Sequence, residues 1–249
     1  MDGNLDTYRS SFAEQLRADD ILQLLPRDRK SILEIGARDG YHTRKLTEIF
    51  DTVTALDLRK PRIDIPRVTA VEGDVTNLSF PDRFFDCVLC AEVLEHIPDV
   101  ERAASEIARV ARYEVLIGVP YKQDIRVGRL TCTSCGKINP PFGHVNTFDE
   151  HSLKELFRDF EANALHFVGV SREQTNVLST LLLDLAGNPW GTYGQDEKCI
   201  RCGAVMQAPG LRSLPQKVAT RLAHILNRFQ NPFVKAQANW IHLLFRRPR

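Results

Sequence analysis

The sequence predicts an α/β protein built on a doubly wound parallel sheet of about seven strands, with helices on both faces. Between Ser31 and Val119, short apolar runs rich in β-branched residues alternate with segments of helical spacing. The first run, SILEI, leads into the turn GARDG, which carries two glycines, and a helical segment follows. A strand, a glycine-bearing turn and a helix in this order open many nucleotide-binding folds.

Each element is predicted from its own pattern. One or two helices are expected over residues 5–25, ended by Pro26, and five strands over 31–35, 52–58, 68–71, 84–90 and 113–119. Residues 91–112 are predicted to be mostly helical, with a break near Pro98. A sixth strand is expected at 164–170, and residues 199–206 are expected to hold either a seventh strand or a metal-binding knuckle.

The chain is predicted to divide at residue 209. Residues 1–209 form the α/β domain, with insertions at about 122–146 and 187–206, where the periodic pattern stops. Residues 210–249 form a helical extension with an apolar stripe at Val218, Leu222, Ile225, Leu226 and Phe229. This extension has no Asp or Glu and eight basic residues: Arg212, Lys217, Arg221, Arg228, Lys235, Arg246, Arg247 and Arg249.

Composition limits the class of protein. The 249 residues carry 33 Lys and Arg against 32 Asp and Glu, so the part before residue 210 holds 25 basic and 32 acidic residues. There is no apolar run long enough to span a membrane, and the first residues do not resemble a secretory signal. These features predict a cytoplasmic protein, peripheral to a membrane if the basic extension binds one. The six cysteines are then expected to be thiols or metal ligands.

The position of Asp57 restricts the cofactor. An acid at the end of the second strand suits a ribose, which occurs in dinucleotides and in S-adenosylmethionine. The dinucleotide fingerprint G-x-G-x-x-G requires a glycine where this chain has Arg38. The dinucleotide is therefore disfavoured.

Four ordered motifs resemble those of class I S-adenosylmethionine-dependent methyltransferases, which have a Rossmann-like fold: ILEIGARDGYHT, Asp57, VEGDVTNLSF and FFDCVLCAEVLEHIPD. The resemblance implies that Glu34 and Gly36 organise the amino-acid end of the cofactor. It further implies that Asp57 binds the ribose and Asp74 the adenine, while Ala91 and Glu92 border the methyl group. The neighbouring residues Ala37, Gly40, Leu58 and Val75 are assigned to the same site. Two alternatives stay open: Asp57 as a solvated strand-end acid, and Asp74 as a turn residue.

The segment EVLEH has a second interpretation. On a helix, Glu92, Glu95 and His96 would share one face and could bind a divalent cation. A similar E-x-x-E-H motif occurs in ubiquinone-biosynthesis O-methyltransferases. The favoured interpretation is an ordinary helix-to-loop element beside the active site.

Two knuckles, Cys132-x-x-Cys135-Gly and Cys199-x-x-Cys202-Gly, predict a structural zinc site with four thiolates. Cys87 and Cys90 also match C-x-x-C but lie within the fourth predicted strand, where residues three apart point to opposite faces. These two are expected to be core thiols.

The methyl acceptor is less defined. His144 and His96 are the candidate general bases for a hydroxyl acceptor. A CxxCG knuckle followed by GHVNTF loosely resembles methyltransferases of glycan and polysaccharide synthesis. The leading hypothesis is therefore O-methylation of a saccharide or a lipid-linked glycan precursor. The alternatives are an RNA or protein methyltransferase, and an inactive zinc-bearing scaffold. For the extension, an anionic membrane surface ranks first, self-association second and nucleic acid last.

Overall fold

The computed structural model describes residues 11–194 and 198–248. This part of the chain forms two compact units. The first contains the described residues up to Tyr121, Phe148–Gly169 and the segment from Ala238 onward, and the second contains Lys122–Thr147 and Val170–Gln237. The second unit is thus made of two insertions into the first. Among the described helices, none has both the length and the apolar character needed to cross a membrane.

Nine strands are described. In chain order they are β1 (Ser31–Ile35), β2 (Thr52–Asp57), β3 (Val68–Glu72), β4 (Phe85–Ala91), β5 (Ala111–Pro120), β6 (Leu130–Thr131), β7 (Ile138–Asn139), β8 (Glu161–Val168) and β9 (Trp240–Arg246). Seven of them form one sheet in the order β3-β2-β1-β4-β5-β9-β8. Strands β1 to β5 pair in parallel, whereas β9 runs antiparallel to both β5 and β8. The predicted doubly wound sheet is confirmed, with one antiparallel strand added.

Six α-helices are described: α1 (Phe12–Leu24), α2 (Tyr41–Leu46), α3 (Val100–Val110), α4 (Glu150–Leu156), α5 (Val177–Leu185) and α6 (Leu214–Gln230). Short 3-10 helices lie at Leu94–His96, Pro141–Gly143 and Asn231–Phe233. The helix predicted before the first strand is present from Phe12, and residues 5–10 of that prediction lie outside the described residues. Helix α3 begins only after Pro98, where the Asp99 side chain accepts a hydrogen bond from the Arg102 N–H.

Alternate residues along the strands enter two separate hydrophobic layers. One layer joins the sheet to α1 and α2 through Ile32, Cys87, Leu89, Leu116, Ile21 and Leu46. The other joins it to α3 and α4 through Leu33, Val88, Cys90, Ile117, Ile107 and Leu153. Helices therefore cover both faces, as predicted, and the two core thiols fall in opposite layers.

The C-terminal segment departs from the sequence prediction. Residues 214–230 are helical as expected. Trp240–Arg246, however, is a strand inside the sheet, between β5 and β8. Ile241, His242, Leu243, Leu244 and Phe245 are all buried because β5 and β8 flank the strand and helices cover its faces. A strand buried on both faces lacks polar alternation, which is why the sequence pattern favours an amphipathic extension here. Residues 199–206 hold a knuckle and an isolated bridge between Lys198 and Val205, and the seventh strand of the sheet is β9.

Candidate active site and metal centre

The first candidate site lies where strands β1 to β4 end. Ile35 pairs with Leu56 on one side and with Cys90 on the other, and Asp57 pairs with Glu72. The carboxyl ends of the four strands therefore lie at one edge of the sheet. Because β1 lies between β2 and β4, the strand order reverses here, and open α/β sheets bind their ligands at such a switch point.

The loop after β1 is a tight turn that packs closely against Val93. Gly36 has a φ of 82°, and a Cβ placed on it would overlap Val93 Cγ2, so the position strongly favours glycine. The N–H groups of Gly36 and Ala37 both donate to the Leu56 carbonyl, at 2.8 and 3.1 Å. Ala37 is buried beneath this turn, and Gly40 leads into α2.

Arg38 stands at the position of the missing middle glycine. Its φ is 49°, in the left-handed region that glycine adopts easily. Its backbone N–H donates a 2.8 Å hydrogen bond to Asp57 Oδ2. The carboxylate at the end of β2 thus fixes the loop after β1, and the turn is kept without the glycine.

Glu34 forms a buried carboxyl group below the loop. The side chain of Thr43, itself buried in α2, donates to Glu34 Oε2 at 2.5 Å. Burial raises the pKa of Glu34 to about 7, against the opposing effect of the Thr43 hydrogen bond. A cation brought near this carboxylate would favour its ionised form.

The acids at the ends of β2 and β3 differ in their partners. Asp57 is half-buried and is engaged by the Arg38 N–H, so it is not simply a solvated strand-end acid. Asp74 is exposed, and its Oδ1 accepts from both the N–H and the hydroxyl of Thr76 at 2.8 Å. Asp74 therefore does make a turn contact, and its Oδ2 is the oxygen left for a ligand. Beside these acids, Leu58 is exposed and Val75 is buried.

The segment after β4 is not the α-helix that would align Glu92, Glu95 and His96 on one face. Glu92 has a φ of 56° and donates its N–H to the Gly118 carbonyl, and only Leu94–His96 is helical, as a 3-10 turn. Glu95 is buried and neither of its oxygens has a hydrogen-bond partner among the described residues, whereas His96 is exposed. Burial, together with the charge of Glu92, raises the pKa of Glu95 well above its ordinary value.

Sequence reasoning missed Arg17 and Trp240, which contact Glu92, and the pair formed by Asp20 and His242. Arg17 of α1 lies 3.6 Å from Glu92 Oε1, and Trp240 Nε1 donates to Glu92 Oε2 at 3.3 Å. His242 pairs with Gly118 in the sheet, and its Nδ1 lies 2.6 Å from Asp20 Oδ2. These residues come from α1 and β9, so no local spacing in the sequence could have connected them.

The two candidate bases belong to different units. His96 lies in the first unit, on the 3-10 turn after β4. His144 lies in the second unit, buried, with Nδ1 2.6 Å from Gln123 Oε1 and its ring 5.5 Å from that of Phe142. Because an amide oxygen only accepts, Nδ1 donates the proton, and Nε2 of the neutral ring is then the basic nitrogen.

The second candidate site is the four-cysteine centre, made of Cys132, Cys135, Cys199 and Cys202 in the second unit. The four sulfur atoms lie within 4.8 Å of one another, with Sγ–Sγ distances of 3.7 Å for Cys132–Cys202 and 3.6 Å for Cys135–Cys199. Tetrahedral zinc with Zn–S bonds of ~2.3 Å separates its sulfurs by about 3.8 Å. The arrangement fits one zinc ion with no open coordination position.

The backbone and Asn139 support this centre. Each knuckle closes with a glycine N–H donating to the first cysteine's carbonyl at 2.9 Å, Gly136 to Cys132 and Gly203 to Cys199. Backbone N–H donors, first that of Cys202, lower the pKa of Cys199 to about 6, which favours the metal-binding thiolate. Asn139 accepts from the Ile200 N–H and donates to Cys199 Sγ, so it connects β7, which follows the first knuckle, to the second knuckle. Sequence reasoning did not identify Asn139.

A parallel sheet with a glycine-containing loop and carboxylates at its strand ends is the arrangement found in α/β proteins that bind a nucleoside cofactor. Comparison with known proteins identifies the family. The profile of a methyltransferase domain family matches residues 8–166, and the chain belongs to this family. Its fold is that of the class I S-adenosylmethionine-dependent methyltransferases.

Individual relatives agree with this family. YcgJ of Bacillus subtilis, named an uncharacterized methyltransferase, is 26% identical over 153 residues, 57% of this chain and 59% of YcgJ. Rv3030 of Mycobacterium tuberculosis, named a probable S-adenosylmethionine-dependent methyltransferase, is 25% identical over 179 residues, 65% of this chain and 63% of Rv3030. The chain thus spans about three fifths of the length of these curated relatives.

Solved structures share the fold over almost the whole chain. The crystal structure of YcgJ has a TM-score of 0.55, with 14% identity and coverage of 94% of this chain and 98% of the other. The N-methyltransferase NodS of Bradyrhizobium japonicum also has a TM-score of 0.55, with 13% identity and coverage of 97% and 99%.

Proposed function

We propose that this chain is an S-adenosylmethionine-dependent methyltransferase that methylates a hydroxyl oxygen of a saccharide or a lipid-linked glycan precursor. One contact at the switch point carries the cofactor assignment. Asp57, at the end of β2, accepts a hydrogen bond from the Arg38 N–H in the loop after β1, so the ends of two strands are joined. Asp57 Oδ2 therefore orders the loop, while Oδ1 accepts a long hydrogen bond of 3.5 Å from the Arg59 N–H and has a further lone pair for a ligand.

The donor set suits this cofactor. Asp57 Oδ1 would accept hydrogen bonds from ribose hydroxyls, and Asp74 Oδ2 would accept from the adenine amino group. Glu34 and the loop at Gly36 would hold the amino-acid end, where an ammonium group complements the buried carboxyl. When bound, S-adenosylmethionine supplies a methyl group on a sulfonium sulfur. The chain positions the reactants and excludes water from them, with Ala91 and Glu92 at the reacting end.

The proton of a hydroxyl acceptor requires a base, for which we propose His144 or His96. His144 is supported by its contact with Gln123, which leaves Nε2 basic. Zinc in the four-cysteine centre would have a structural role because four thiolates leave no position for a substrate. Among the relatives, a protein of Mycolicibacterium smegmatis named fatty-acid O-methyltransferase, 35% identical over 92 residues, supports oxygen as the accepting atom.

Calorimetric titration with S-adenosylmethionine tests the cofactor assignment. Asp57→Asn removes a charged acceptor, so we expect the affinity to fall by about 10- to 100-fold. Asp51→Asn is the matched control, because Asp51 is an exposed acid just before β2, at its amino end. Equal affinities of the wild type and Asp57→Asn would contradict the role of Asp57. A folded wild type that does not bind the cofactor would contradict the enzyme assignment.

Transfer of a labelled methyl group to fractionated acceptors tests the second half of the proposal. We expect label in saccharide or lipid-linked saccharide fractions, whereas label in RNA or protein would replace this acceptor class. Substituting the true base, His144→Asn or His96→Asn, should lower the rate by about 100- to 10,000-fold. Unchanged affinity for S-adenosylmethionine in the same variant would separate the base from a cofactor ligand.

A further inference from the structure

Helices α5 and α6 of the second unit pack through polar contacts. Asn176, which caps α5, donates to Asn227 Oδ1 at 3.3 Å and to Gln230 Oε1 at 2.8 Å, and the Ser179 hydroxyl donates to the Ala223 carbonyl at 3.3 Å. Thr220 of α6 and Thr180 of α5 are also buried. The fully buried residues of the two helices are therefore polar or small, and Leu182, Leu183 and Leu226 are half-buried beside them.

The outward sides of the same helices are apolar. Of the stripe predicted from the sequence, Leu226 is half-buried, whereas Val218, Leu222, Ile225 and Phe229 are exposed together with Leu214; these five, 42% to 74% exposed, form the apolar stripe of α6. Spacings of three and four residues place all five on one side of the helix, and the buried residues Thr220 and Ala223 lie on the other side. Helix α5 repeats the arrangement with Val177, Leu178, Leu181 and Leu185 exposed. An ordinary surface helix has the opposite polarity, so this pair presents an apolar surface that calls for a partner.

Charge determines the kind of partner. Lys217, Arg221 and Arg228 of α6 are exposed and lie along one border of the apolar stripe. No Asp or Glu occurs from residue 210 to the end of the chain, and Asp184 of α5 forms an ion pair with Arg129 at 2.9 Å. Exposed aromatic side chains lie at Trp190 and Phe233. An apolar face with a basic border and aromatic residues is the composition that binds an anionic lipid surface.

We propose that the α5–α6 pair docks on an anionic membrane surface, with the apolar stripe entering the interface and the three basic residues of α6 contacting lipid head groups. The stripe covers 16 residues of helix, from Leu214 to Phe229, or about 24 Å, so it lies along the surface and does not cross the bilayer. This docking is independent of the acceptor that the enzyme methylates.

Flotation of the full chain with lipid vesicles tests the proposal. We expect the protein to float with vesicles of phosphatidylcholine and phosphatidylglycerol in equal parts and to stay behind with phosphatidylcholine alone. The double variant Leu222→Ser/Phe229→Ser should reduce the bound fraction by about tenfold or more. Lys217→Gln/Arg221→Gln/Arg228→Gln should reduce binding to the anionic vesicles on the order of 100-fold. Phe12→Ser is the matched control, because Phe12 is equally exposed on α1.

Two kinds of outcome would overturn the proposal. One is a wild type that does not float, or variants that float as well as the wild type does. The other is a concentration-dependent dimer that the stripe variants dissociate, because the apolar stripe would then be an interface between copies of the chain. Cofactor titration and a thermal melt of every variant verify folding, so loss of lipid binding is distinguished from failure of the methyltransferase assignment.

Discussion

The edge of the parallel sheet and the four-cysteine centre both gather ligand groups, but they do so in different ways. At the sheet edge, carboxylates come from the ends of separate strands, where Asp57 accepts from the N–H groups of Arg38 and Arg59 and Asp74 accepts from Thr76 through one oxygen. In the four-cysteine centre, thiols come from two similar turns and lie within 4.8 Å of one another. The first arrangement is open and suits a ligand that is exchanged in every cycle. The second is closed and suits a permanent ion.

The largest effect is expected when the four-cysteine centre loses its metal. Binding of zinc to four thiolates contributes on the order of 10 kcal/mol to folding. Purified protein should therefore hold about one zinc per chain, and Cys135→Ser or chelation should unfold the second unit. Hydrogen exchange should show rapid exchange across Lys122–Thr147 and Val170–Gln237, while the sheet of the first unit remains protected.

Ser134→Ala is the control for this experiment, because Ser134 is exposed within the same turn and offers no thiolate. It should leave both the zinc content and the exchange pattern unchanged. Metal-free protein with full protection in the second unit would show that the four thiols are not a structural zinc site.

How far the sequence leads differs between these two regions. The knuckles were predictable, because a C-x-x-C-G turn carries its geometry within five residues. The positions of Glu34, Gly36 and Asp57 were also predictable, because Glu34 lies in a recognisable strand, Gly36 follows it and Asp57 ends the next strand, while their roles toward a cofactor stay a prediction. The hydrogen bond from the Arg38 N–H to Asp57 joins two separate parts of the chain, and the sequence alone did not predict it.

The remaining features depend on contacts between distant parts of the chain. Trp240 and His242 reach Glu92 and Asp20 only because β9 enters the sheet beside β5. A strand buried on both faces gives an apolar run that local patterns do not distinguish from part of an apolar helix. The apolar stripe of α6 was likewise visible in the sequence. The sequence did not show whether the stripe or the opposite side of the helix is buried.

A second, smaller effect concerns the open site and depends on pH. Because burial raises the pKa of Glu34 to about 7, the folded protein holds this proton more tightly than the unfolded chain does. Stability is thus favoured below the unfolded value, about 4.3, and declines as the pH rises through 7. Between about pH 5 and pH 8, Glu34→Gln should reduce this decline by about 2 kcal/mol in urea unfolding of the cofactor-free protein.

Glu48→Gln is the control for Glu34, since Glu48 is exposed and should leave the pH dependence unchanged. The same carboxyl gives a second readout, because a cationic ligand group beside it favours ionisation. Calorimetry in buffers of different ionisation enthalpy should detect protons released on cofactor binding near neutral pH. If the stability of Glu34→Gln declined with pH as much as that of the wild type, Glu34 would not be the group that titrates.

The smallest expected effect is the difference in stability between alanine substitutions at Gly136 of the four-cysteine centre and at Gly36 of the loop after β1. Gly136 closes the first knuckle with a φ of 70°, and no atom lies within 4 Å of the position that a Cβ would take, so Gly136→Ala meets backbone strain alone. We expect a loss of about 1 kcal/mol in the unfolding of the zinc-loaded protein, with zinc retained. Gly36→Ala adds the contact with Val93 to a similar strain, so its loss should be larger and should weaken cofactor binding as well. Equal losses for the two variants would mean that the Val93 side chain moves aside at no cost, which would contradict the steric requirement for glycine at position 36.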